Sequence, residues 1–164
     1  MSAGGIIDHP ASGLRDVLKH EIVALEAFIA NLQLEQQALV AGDIDQLPPI
    51  VEEKTRLAAS LTQFAQQRQR LIRAAGLPDD QTGIEAWLAA QPPKSADRAD
   101  WTNLLALTSE ARTVNETNGK LIAMRMQHNQ QALNVLLSAA NQATLYGPDG
   151  QTKPTGGGHL FGKA

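Results

Sequence analysis

The chain has 164 residues, a formal net charge of −3 and no cysteine. That length suits one domain with a buried core, and the missing cysteine removes disulfides and thiolate chemistry. Charge is spread evenly, so the basic stripe that phosphate neutralisation requires is absent and nucleic acid is not an expected partner. Leu, Ala and Gln dominate, while aromatics are confined to Phe28, Phe64, Phe161, Trp87, Trp101 and Tyr146. Such a composition fills long helices at little rotamer cost and points to an all-α bundle or coiled coil.

The N-terminal residues Met1 to Asp8 lack a basic region followed by a long apolar run, so no secretory signal is expected there. No stretch approaches the roughly 20 apolar residues of a membrane span. The expected address is the cytoplasm.

The first element follows Pro10-Ala11-Ser12-Gly13, with Ser12 as the expected N-cap. Leu14, Leu18, Glu21/Ile22, Leu25, Phe28/Ile29, Leu32 and Leu39 recur in steps of three and four, which gives a helix over about 13–41. Gly42 is expected to end it and Asp43 to cap the next. The second helix, about 44–75, carries Leu47, Ile50, Lys54, Leu57, Leu61, Phe64, Arg68 and Leu71 on one seam. Its Pro48-Pro49 pair lies near the front, where a missing N–H costs little. Gly76 and Pro78 stop it. The short link from Ala41 to Ile44 requires an antiparallel hairpin.

Residues 77–97 hold Pro78, Gly83, Pro92 and Pro93, with Ile84, Trp87 and Leu88 at helical spacing. A short helix over 82–90 is expected inside this crossover, with Trp87 closing the end of the bundle. The third long helix runs over about 97–145. Its markers are Trp101, Leu104/Leu105, Thr108, Ala111, Asn115, Asn118, Leu121/Ile122, Met126, Leu133, Leu136/Leu137 and Ala140. At 1.5 Å per residue it reaches about 70 Å, against about 45 Å for the first two helices. Its C-terminal stripe has no obvious cover within the chain. Residues 1–12 and the Gly/Pro-rich tail 147–164 are expected to be flexible, flanking a helical domain over 13–146.

Candidate chemistry is sparse. His9, His20, His128 and His159 have no metal-ligand spacing, and Gly156-Gly157-Gly158 lacks the strand and helix of a phosphate loop. No catalytic residue, metal site or cofactor is expected. Asn115-Glu116-Thr117-Asn118-Gly119 could mark a turn, but the periodicity stays in phase and favours an unbroken helix. Asn115, Asn118 and Gly119 then form either a register-setting polar layer or a place where another helix comes close. Lys54, Arg68 and Arg125 on apolar seams are expected to lay their stems along the core and keep their charges in water rather than pair. Tyr146 is either a helix-end anchor or a docking residue.

The order of elements, with Asn115, Asn118, Gly119, Leu121 and Ile122 followed by Tyr146, Gly147, Asp149 and Gly150, resembles the FlgN family of bacterial flagellar type III export chaperones. The resemblance covers about residues 14–150. It implies a non-enzymatic protein that binds the C-terminal segments of hook-associated proteins of the FlgK and FlgL type. It further implies delivery of these clients to the export gate protein FlhA, with Tyr146 as the candidate gate-docking residue. The uncovered stripe then supplies the client groove, on Leu121, Ile122, Met126, Leu133, Leu136 and Leu137, with Met124 adding an adaptable surface. The rival reading is a structural coiled coil that self-associates through the same stripe, with Asn115 and Asn118 setting its register.

Overall fold

The computed structural model describes residues 10–145, with side-chain surroundings for residues 13–143. Four α-helices follow in order, α1 (Pro10–Ala41), α2 (Leu47–Ala74), α3 (Gln81–Ala89) and α4 (Asp97–Leu145), and a 3-10 turn over Ile44–Gln46 precedes α2. No strand occurs among the described residues. The chain divides into two units, the first ending at Ile122 and the second beginning at Ala123. Residues 1–9 and 146–164 lie outside the described part, and with them Tyr146, the expected loose tail and most of the expected loose N-terminus, whose residues 10–12 are instead the start of α1.

Helix α1 starts at Pro10, two residues ahead of the expected cap Ser12. Proline at the first turn loses no bond, because that N–H has no helical acceptor. Gly42 and Gly76 end α1 and α2 with φ of +79° and +75°, the left-handed closure that other residues adopt only under strain. The expected cap Asp43 does not cap; its carboxylate takes the Gln46 side-chain amide instead. Asp80, which sequence reasoning passed over, caps α3 by accepting from the Thr82 and Gly83 amides at 2.9 and 3.2 Å.

The core of the first unit is built along the seam of α1. Leu14, Leu18, Leu25 and Leu32 are buried there, and Ile72 of α2, Trp87 and Leu88 of α3, and Trp101 and Leu104 of α4 join the same cluster. Trp87, expected to close the end of the bundle, is buried within this apolar cluster. Helix α2 runs antiparallel to α1. The first part of α4 runs parallel to α1, because Asp97 meets Arg15 and Asn118 meets Leu32. Helix α4 passes through Asn118-Gly119 without a break.

Candidate functional site

Three ion pairs and one buried amide run between the helices of the first unit. Nearest the start of α1, Arg15 donates from Nε and Nη2 to the two Asp97 oxygens at 2.6 and 2.8 Å. Next, Arg68 donates in the same two-pronged way to Glu21, at 2.9 and 3.1 Å. Its guanidinium also lies over the Trp101 ring, 5.3 Å from the centroid, where the π-face attracts the cation. Further along, Lys54 donates to Glu35 at 3.0 and 3.3 Å. Asn118 of α4 reaches the same carboxylate, its Nδ2 donating to Glu35 Oε2 and to the Leu32 carbonyl, both at 2.8 Å.

These contacts correct the expectation for Lys54 and Arg68. Both side chains are largely buried, but their charges meet the buried carboxylates of Glu35 and Glu21 rather than water. The reason is the carboxylates: an ionised Glu without a partner inside the bundle would cost several kcal/mol, roughly. Asp97 is fully buried, and the hydrogen bonds from Arg15 hold its carboxyl below its ordinary 3.8 while burial opposes that shift.

The Asn-Gly string divides. Asn118 is fully buried, whereas Asn115 lies on the exposed face of α4 and Val114 takes the inward position. A side chain at Gly119 would meet nothing within 4 Å, so no described helix presses on that glycine.

The expected groove residues fall on both sides of the unit boundary. In the first unit Leu121 is half-buried and Ile122 is 40% exposed. In the second, every described residue from Met126 onward is exposed, including Met126, Leu133, Leu136 and Leu137. Met124 and Val135 share this exposure. Monomer surfaces seldom leave so many large apolar side chains in one run without a partner. A shallow depression of about 370 Å³ lies over Asn134, Val135, Ser138, Ala139 and Gln142.

Among the described residues no group of three or more His, Asp or Glu side chains is placed to hold a metal ion, and no helix is long and apolar enough to cross a membrane.

The α1–α2 hairpin is thus joined by a third long helix that carries the buried Asn118 and then an exposed apolar run. The sequence pattern of the family described as FlgN protein matches residues 11–154, most of the chain. The chain belongs to the FlgN family. Among its FlgN relatives, the flagella synthesis protein FlgN of Proteus mirabilis is 32% identical over 142 residues, covering 85% of this chain and 90% of that one. The flagella synthesis protein FlgN of Escherichia coli K12 is 30% identical over 156 residues, covering 92% and 95%. A crystal structure described as a flagella synthesis protein FlgN, from Pseudomonas aeruginosa, superposes with a TM-score of 0.63 at 21% identity. It covers 71% of this chain and 90% of that one, and shows that the two share a fold. Membership of the FlgN family places the chain in flagellum biogenesis and fits a chaperone.

Proposed function

We propose that this protein is a cytoplasmic export chaperone. It binds the C-terminal segments of hook-associated proteins of the FlgK and FlgL type, keeps them from assembling early and brings them to the export gate protein FlhA. The observation that carries this reading is the uncovered part of α4, where Leu133 is 48%, Leu137 53% and Leu136 67% exposed. Large apolar side chains in that run favour an amphipathic helical ligand laid along them. Binding orders a loose client segment, so affinity is moderate for the area buried and release at the gate remains accessible.

Each part of the chain takes a separate role. Met126, Leu133, Leu136 and Leu137 contact client, with Ile122 and Leu121 at the near end. Asn118 fixes the register of α4 on α1, since a slip by one turn would leave both its amide and Glu35 without each other. Tyr146 docks the loaded chaperone on the gate.

The test is a pull-down of the chain with isolated C-terminal peptides of its hook-associated proteins, repeated with a Leu133→Asp/Leu137→Asp variant that keeps its helical circular dichroism. Loss of capture supports the reading, and normal capture removes it. A tight dimer with no affinity for the peptides would establish the self-associating coiled coil instead. Tyr146→Ala should leave client capture intact and weaken binding to the gate protein.

A further inference from the structure

The exposed run of α4 is unusual in its charge as well as its apolar content. From Met126 to Leu145, 20 consecutive residues include no Asp, Glu, Lys or Arg, in a chain where charged residues make up 19%. The polar positions are amides, hydroxyls and one imidazole, such as Gln130 and Asn134, which bond each other at 3.1 Å along the helix. A helix meant to keep one face in water ordinarily carries charge on that face. This one has no such face.

The apolar residues are also not confined to one stripe. At 100° per residue, Val135 lies about 160° around the helix from both Leu133 and Leu137. Val135 is 68% exposed, and Ala139 and Ala132 stand near it on that side. The depression over Asn134, Val135, Ser138, Ala139 and Gln142 opens there as well. A one-sided groove formed by Leu133, Leu136 and Leu137 would leave this second face bare when occupied.

We infer that the client encloses residues 126–143 of α4 from two opposite sides, through a surface that is itself uncharged. This inference rests on the chaperone reading and adds the chemistry and the extent of what is bound. The warrant is electrostatic matching: a charge carried by the client into this contact would be desolvated against apolar and amide groups that offer no counter-charge. A neutral client segment meets no such penalty, and its affinity owes little to ion pairs.

The experiment is a calorimetric titration of the full chain with a synthetic C-terminal peptide of a hook-associated protein, in low and high salt, for the wild type and three variants. Leu133→Glu probes one face, and Val135→Glu and Val135→Lys probe the other. Circular dichroism of the free variants, with Trp87 and Trp101 fluorescence reporting the first unit, verifies that each is folded. The expected result is at least tenfold weaker binding for all three variants and less than about twofold change in wild-type affinity between roughly 50 and 500 mM salt, where exposed ion pairs are screened. Equal weakening by Glu and Lys at position 135 marks burial rather than charge pairing. If Leu133→Glu weakens binding while both Val135 variants bind as the wild type, the enclosure is wrong and the one-sided chaperone groove stands. A steep fall of wild-type affinity with salt overturns the uncharged client surface alone. If no variant alters binding, both the enclosure and the chaperone groove on this helix fail.

Discussion

Asn118 on α4 donates its side-chain amide to the Glu35 carboxylate on α1 at 2.8 Å, and Glu35 simultaneously holds Lys54 of α2 at 3.0 Å. One buried acid thus joins three helices. The Asn118 amide is fully enclosed, while its Oδ1 has no hydrogen-bond partner. Only the NH2 half of the side chain is used, which makes the effect of substitution at this position easy to separate into charge and hydrogen bonding.

Replacing Asn118 with Asp would set a second carboxylate against Glu35 inside the bundle. The expected loss is about 3 kcal/mol or more, because both charges are desolvated and only one lysine serves them. Asn118→Leu removes the orphaned oxygen along with the two bonds, and is expected to cost only about 1 kcal/mol. Urea unfolding followed by circular dichroism checks the order of the two, and similar midpoints would contradict it.

The Glu35–Lys54 pair should behave asymmetrically. Lys54→Leu leaves a carboxylate that is 3% exposed with no cation, whereas Glu35→Leu leaves a lysine that is 24% exposed and able to turn towards water, and an Asn118 amide that still donates to the Leu32 carbonyl. The first is expected to cost about 3 kcal/mol and the second clearly less. The double Leu variant should recover part of the loss, and a double-mutant cycle measures the coupling. Additive losses would show that the pair contributes nothing as a pair.

Acid should weaken the first unit through Asp97. Its carboxyl titrates below its ordinary 3.8 because Arg15 bonds it. A depressed folded value contributes stability that is fully present above that ordinary value and is lost as pH falls through the folded one. Asp80, held low by the Thr82 hydroxyl and the Gly83 amide, adds the same sign at the start of α3. Unfolding free energy measured from pH 6 to pH 3 should therefore fall, and Asp97→Asn should flatten part of that fall while lowering stability at neutral pH.

Gly83 has no room for a side chain. A Cβ there would lie 1.7 Å from the Pro78 carbonyl oxygen, a backbone atom that cannot swing aside, and 3.1 Å from Ile72. Gly83→Ala is expected to cost about 3 kcal/mol by pushing α3 outward. Trp87 is buried on the same helix, so its fluorescence maximum should shift to the red in the folded variant.

Much of this arrangement was written in spacing. Leu14 and Leu18 are four apart and Leu18, Leu25, Leu32 and Leu39 repeat every seven, and α1 buries all of them. The same count places Glu21 and Glu35 on that seam, 14 residues apart, and Lys54 and Arg68 on the seam of α2 also 14 apart. Opposite charges at matching intervals on antiparallel helices predict two pairs in one register. The solvated-charge reading missed this because it weighed each cation alone, without the acids facing it. For Asn115, two inward series were allowed through this stretch, one using 115 and the other 114; apolar Val114 beside polar Asn115 was the signal for the second. The Asp80 cap was hidden by the prolines and glycine around it, which read as loop. What occupies the exposed run of α4 was not legible from spacing, since periodicity reports an apolar face and not its partner.

The central claim is that the charge-free part of α4 holds the client, and a calorimetric titration of the chain with a hook-associated protein's C-terminal peptide tests it most directly. The expected result is one peptide per chain, with at least tenfold weaker binding for Leu133→Glu at unchanged helicity. A chain that binds no peptide, or a Leu133→Glu variant that binds as tightly as the wild type, would contradict it.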